Sequence, residues 1–129
     1  MLPRGVIRNP EQAKRINDFS GLRFGKITPT DIDGMIDFGN KAFVLIETKY
    51  TGGRMPFGQR LALERLIDII EETGRKSLAL VAEYSNEAGE IDCAKAVVIE
   101  YRYRREWKIP RVPLNVRDAI DRFLKEVNK

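Results

Sequence analysis

Glu47 and Lys49 close the apolar run Phe43-Val44-Leu45-Ile46, and Asp33 lies upstream of it across a short turn. A strand that apolar is expected to be covered on both faces. Charges brought to its end are costly to bury unless they pair or bind a metal. Two acids and a lysine in this arrangement suggest a divalent-cation site, and hard carboxylate oxygens with room left for water suit Mg²⁺ or Mn²⁺. Such an ion polarises a phosphoryl oxygen and lowers the pKa of a bound water. Lys49 beside it would orient that water or offset charge in the transition state. The expected chemistry is phosphodiester hydrolysis by metal-activated water. The simpler alternative is an ordinary hairpin with a salt-bridged end.

The geometry required is specific. Glu47 and Lys49, two residues apart on a strand, share a face with Leu45, while Thr48 points the other way and offers its backbone carbonyl between them. The place of Asp33 depends on the turn. A two-residue turn at Gly39-Asn40 sets residue 38 against 41 and Asp33 against Ile46, on the wrong face. A three-residue turn, Gly39-Asn40-Lys41, or a one-residue bulge near Gly34, sets Asp33 against Glu47. The metal-site reading therefore requires the odd-length turn, and a chance mimic predicts the even one. A second Glu-x-Lys, Glu106-Trp107-Lys108, lacks both the apolar strand and the upstream acidic hairpin, and reads as surface.

Pro29-Thr30-Asp31-Ile32-Asp33-Gly34, followed after an apolar strand by Ile46-Glu47-Thr48-Lys49, resembles the PD-(D/E)xK nuclease superfamily over about residues 10–84. The resemblance implies an α/β fold of restriction-endonuclease-like type, with a mixed β-sheet core flanked by helices in αβββαβ order, and a Mg²⁺-dependent deoxyribonuclease activity. In that superfamily the first acid and the glutamate bind metal and the lysine is catalytic, roles that map onto Asp33, Glu47 and Lys49. The proline is not adjacent to the mapped acid. Asp31 is therefore a rival for it, or an auxiliary metal ligand, while Gly34 and Ile36 continue the strand as the family pattern does and favour Asp33. Many members carry a glutamine on the following helix near the site. Gln59, one turn before Leu63 on the buried stripe, matches that position, unless it caps its own helix start. Glu11 would add a carboxylate as in some relatives, or is a solvated first-turn acid.

The elements that must hold these residues follow from periodicity and punctuation. Residues 10–19 read as a short helix with Asn9 as N-cap and Pro10 in the first turn, and residues 22–27 as a strand. Residues 31–38 alternate as a strand, and residues 42–49 form a central one. Residues 50–55 make a basic loop. Pro56 opens a helix to about Thr73, closed by Gly74, with Leu63, Leu66, Ile67 and Ile70 as its buried stripe. Residues 77–84 form a strand parallel to 42–49 through a right-handed crossover. A polar loop, a strand over 95–103 and a final helix over about 114–127 complete the chain.

At 129 residues, with 43% hydrophobic and 33% charged content, the chain reads as one soluble domain, 1–129. Its apolar runs are too short for a membrane span, no signal peptide is seen, and a single cysteine, Cys93, fits an intracellular, cytoplasmic setting. The absence of histidine removes Ser-His-Asp and Cys-His catalysis, HExxH peptidases and zinc deaminases. A net charge of +4 permits a polyanionic partner without requiring one. Nucleic acid is the expected partner, DNA in preference to RNA, selected by structure, with a homodimer needed if junctions are cut. Arg54, Arg60 and Arg65 follow the motif and are candidates for phosphate contacts. Arg102, Arg104, Arg105, Lys108 and Arg111, interleaved with Tyr101, Tyr103 and Trp107, form the best nucleic-acid patch, unless those aromatics pack under the last helix. The alternative function is a catalytically silent nucleic-acid-binding or assembly module.

Overall fold

The structure, a computed structural model, describes Glu11 and residues 18–129. Its elements are β1 (Gly34–Phe38), β2 (Ala42–Tyr50), α1 (Phe57–Glu72), β3 (Lys76–Tyr84), β4 (Val97–Tyr103), β5 (Glu106–Lys108) and α2 (Val116–Val127). The five strands form one mixed sheet in the order β1-β2-β3-β4-β5. Together with the two described helices this is an α/β architecture.

β2 and β3 pair in parallel over nine residues each, and both are nearly continuous runs of buried aliphatic side chains. Parallel strands need a crossover, and α1 supplies it. Odd-numbered residues of β2 face α1, where Leu45 and Ala79 meet Leu63 and Ile67. Even-numbered residues face α2, where Val44, Ile46, Leu78, Leu80 and Val98 pack against Val116, Ala119, Ile120 and Phe123. α2 is started by Asn115, whose side-chain oxygen accepts the Asp118 N–H at 2.8 Å.

The β1–β2 turn has three residues, since Phe38 pairs with Ala42. Gly39 and Asn40 both lie in the left-handed region at φ 63°, which glycine and asparagine tolerate best. The Asp37 carboxylate accepts the Asn40 N–H at 2.7 Å, and Arg75 Nε donates to the Asn40 carbonyl at 2.9 Å, so the turn is tied at both ends.

Two expectations are corrected. Residues 22–27 are not a strand. Ser20–Leu22 is a 3₁₀ turn, and Phe24 and Ile27 form a single bridge around Gly25 at φ 65°. That glycine folds the segment back before it can extend. The αβββαβ order is therefore absent from the described residues, which run ββαβββα. Of the helix expected over 10–19, Glu11 is helical and exposed, Asp18 and Phe19 are not helical, and the rest lies outside the described residues. The second correction is at the other edge, where the chain does not pass from the strand ending at Tyr103 to the final helix without a further strand. It reverses through Arg104 and Arg105, both left-handed at φ 51° and 64°, and returns as β5. No described helix is long and apolar enough to cross a membrane.

An ion-pair layer joins α1 to this far edge. Arg102, 8% exposed, is held by Asp68 through Nε at 2.9 Å and Nη2 at 2.8 Å, with Glu64 at 3.4 Å. Losing one member of a buried pair strands the other charge. Asp68→Ala should therefore lower unfolding free energy by about 3 kcal/mol in urea denaturation. Asp121→Ala, which breaks only the exposed pair with Arg117, should change it by less than about 1 kcal/mol.

Candidate functional site

The ladder from Phe38–Ala42 runs to Gly34–Ile46. One further step sets Asp33 opposite Glu47, the odd-length register that a shared site requires. β1 stops pairing there, so Thr48 has no β1 residue beside its backbone. The Asp33 carboxylate fills that place: its Oδ2 accepts the Thr48 N–H at 2.8 Å and the Thr48 hydroxyl at 3.1 Å. The N–H and C=O of one strand residue point to the same side, so the Thr48 carbonyl faces the same gap as Asp33.

Glu47 is 4% exposed. Lys49, two residues on and on the same face, brings Nζ to 3.2 Å from its Oε1. The same ammonium donates to Gln59 Oε1 at 3.1 Å. Gln59 sits in the first turn of α1 and reaches the Asp31 carbonyl through Nε2 at 3.4 Å. The segment before β1, the end of β2 and the start of α1 are thus linked through one lysine and one glutamine. Burial, and then the neighbouring Asp33 charge, push the Glu47 carboxyl above the ordinary carboxylate range. Hydrogen bonds from Lys49 and Gln59 and the Lys49 charge pull it back only in part.

These groups line one open cleft of about 720 Å³, walled by the 26–31 segment, the end of β2 and the first turns of α1. Asp31, Asp33, Glu47, Thr48, Lys49 and Gln59 all contribute to it. Asp31 lines the wall, whereas Asp33 is anchored on the edge of β2. Among the described residues no group of three or more His, Cys, Asp or Glu is arranged as a metal cage. The oxygen donors brought together are two carboxylates and one carbonyl. A buried carboxylate beside a second one carries excess negative charge that a small, hard cation would relieve, and this donor set suits Mg²⁺ or Mn²⁺ better than a softer metal.

Of the basic residues expected to hold phosphate, the structure brings few here. Arg54 is exposed on its loop, outside the cleft. Arg60 is forked onto Glu100 and lies 4.2 Å over the Trp107 ring. Arg102 is committed to Asp68. Both guanidinium forks are filled by carboxylates in the layer between α1 and β4. Arg105 approaches Glu72 at 3.7 Å, and Arg104 lies 5.3 Å over the Tyr103 ring at the hairpin tip. Lys108 lies on β5, away from the cleft. Cleft cations besides Lys49 are Arg65 and Lys26. Sequence reading passed over Lys26, which no periodicity marks; its nearest signal is the Thr28-Pro29-Thr30 break just downstream.

Comparison with protein-family models, with curated proteins and with solved structures finds no match for this chain.

The Glu47 shift fixes a sign. A carboxyl whose folded pKa is raised lowers stability as pH climbs from its unfolded value through its folded value, and the penalty is complete above that window. In metal-free buffer at neutral pH, Glu47→Gln should therefore raise the melting temperature. The gain should shrink as pH falls through the raised pKa, where the native carboxyl is itself protonated. Calorimetry across that range checks it, and a lower melting temperature at neutral pH would refute it.

Proposed function

We propose that this chain is a divalent-cation-dependent phosphodiesterase acting on nucleic acid, DNA in preference to RNA, with a site of PD-(D/E)xK type. The observation that carries the reading is that Asp33, Glu47 and Lys49 gather on one cleft at the end of a buried strand, with Asp33 on the Thr48 N–H and Lys49 on Glu47. The β2–α1–β3 crossover with antiparallel β1 beside it supports a restriction-endonuclease-like core, although residues 22–27 add no strand to it.

Asp33 and Glu47 would hold the cation with the Thr48 carbonyl, and Asp31 stands on the cleft wall as an auxiliary carboxylate. A bound Mg²⁺ or Mn²⁺ supplies Lewis acidity at a phosphoryl oxygen and acidifies water. Lys49 places a fixed positive charge where negative charge develops on the phosphoryl group, and that charge needs no reorganisation because Gln59 already holds it. Arg65 and Lys26, on the same cleft, are placed to take flanking phosphates. A binding module is the second reading. It is favoured by the Lys49–Glu47 pair, which already satisfies one carboxylate, and by the lack of a three-acid cage among the described residues.

The test uses labelled single-stranded, duplex and branched DNA, and RNA, with Mg²⁺, Mn²⁺ or EDTA. Cleavage is expected in metal and not in EDTA. Lys49→Ala should cut at least about a hundredfold more slowly while Mg²⁺ still raises its melting temperature. No cleavage by the native protein in either metal, with tight salt-sensitive binding, would move the function to the binding module.

A further inference from the structure

A second concavity lies on the face of the sheet opposite the cleft, where β4, β5, the 109–114 segment and α2 meet. It measures about 620 Å³. Every charged side chain lining it is a cation: Lys108, Arg111 and Arg122. They come from a strand, a loop and a helix, so their convergence is made by the fold. Pairing sets Lys108 opposite Tyr101, which puts both side chains on the α2 face. Arg102 and Trp107, between them in sequence, turn to the α1 face. The basic-aromatic run from 101 to 111 is thus split by strand alternation, and half of it joins Arg122.

All three cations are exposed, and none has a carboxylate partner within 4 Å among the described residues. Glu126, one turn further along α2, is bonded to Lys129 at 2.9 Å. Like charges gathered in a concavity repel one another and favour a polyanion. The walls add half-buried Tyr101, with Ile109 at 76% and Val112 at 56% exposure. Cations beside exposed apolar and aromatic surface match a strand that presents phosphates and unstacked bases together. A duplex presents its backbone and keeps its bases stacked, and a run of acidic residues alone offers no flat rings to that surface.

We propose that this groove binds single-stranded nucleic acid, independently of the cleft. The test is fluorescence anisotropy of a short labelled oligothymidylate in EDTA over a salt series. The triple variant Lys108→Glu/Arg111→Glu/Arg122→Glu should bind about tenfold or more weakly, and its log-affinity against log-salt slope should be shallower by about two. Lys95→Glu/Lys125→Glu, which changes exposed cations outside both the groove and the cleft, should bind like the native protein. Because binding is read in EDTA, failure of the groove is separate from failure of the cleft reading, which is read as metal-dependent cleavage. Circular dichroism reports whether the triple variant folds. If it does not, Lys108→Gln/Arg111→Gln should show a smaller loss of the same sign. Unchanged affinity in a folded variant, an equal loss of binding in Lys95→Glu/Lys125→Glu, equal losses on duplex DNA, or equally strong competition by polyglutamate would each overturn it.

Discussion

A carboxylate that is 4% exposed and faces a second carboxylate needs positive charge brought to it. Glu47 meets that need with Lys49, which can turn to it because strand alternation places both on the α1 face. Lys49 is steadied in turn by Gln59, and Gln59 is in reach only because α1 begins soon after β2 ends. The start of α1 is set by the crossover that delivers the chain to β3, parallel to β2. The local electrostatics of one strand end and the global topology are therefore the same constraint seen at two scales. Asp33 enters from the other side, through a turn whose left-handed Gly39 and Asn40 hold the register.

α1 serves several neighbours at once, and its periodicity explains how. Leu63 and Ile67 enter the core. Arg60, Glu64 and Asp68, spaced by four, form a stripe that meets Glu100, Trp107 and Arg102 on β4 and β5. Gln59, Ala62 and Arg65 line the cleft. The two charge systems on this helix differ in kind. The stripe toward β4 is closely matched, with each guanidinium forked onto a carboxylate and Trp107 covering Arg60. The cleft has acids that its lysine satisfies only in part. One helix thus carries a structural lock on one side and a chemically unfinished site on another.

How much of this was legible in the sequence depends on whether one local rule decided the outcome. The apolar runs of β2 and β3, the crossover, and Leu63 and Ile67 of the α1 stripe follow from burial, so they could be read directly; Leu66, expected in that stripe, is instead 39% exposed, and Ile70 is only half-buried. So could the condition linking turn length to the Asp33–Glu47 pairing, because strand alternation admits only two answers. Gln59 was readable from helical spacing. The far edge was not. Tight hairpins are signalled by glycine, asparagine or aspartate, and Arg104-Arg105 carries no such mark, so β5 could not be foreseen. Gly25 broke a segment whose composition suited a strand. Helix spacing sets Arg60 beside Glu64, but its partner is Glu100 on β4. Pairings of that kind depend on tertiary distance, which no local rule supplies.

The role of Lys49 brings these strands together. In the described state its ammonium lies between Glu47 Oε1 at 3.2 Å and Gln59 Oε1 at 3.1 Å. A cation held between Asp33 and Glu47 would compete with Lys49 for the same carboxylate, so its affinity would be set against an existing, largely buried ion pair. Under the hydrolase reading that competition is useful. Removing Glu47 from the lysine leaves the ammonium bonded to Gln59 and still on the cleft wall, with its charge available to a phosphoryl group. Under the binding-module reading the pair simply persists and Lys49 stays spent on Glu47. The two functions therefore differ less in which residues are present than in which positive charge satisfies one buried carboxylate.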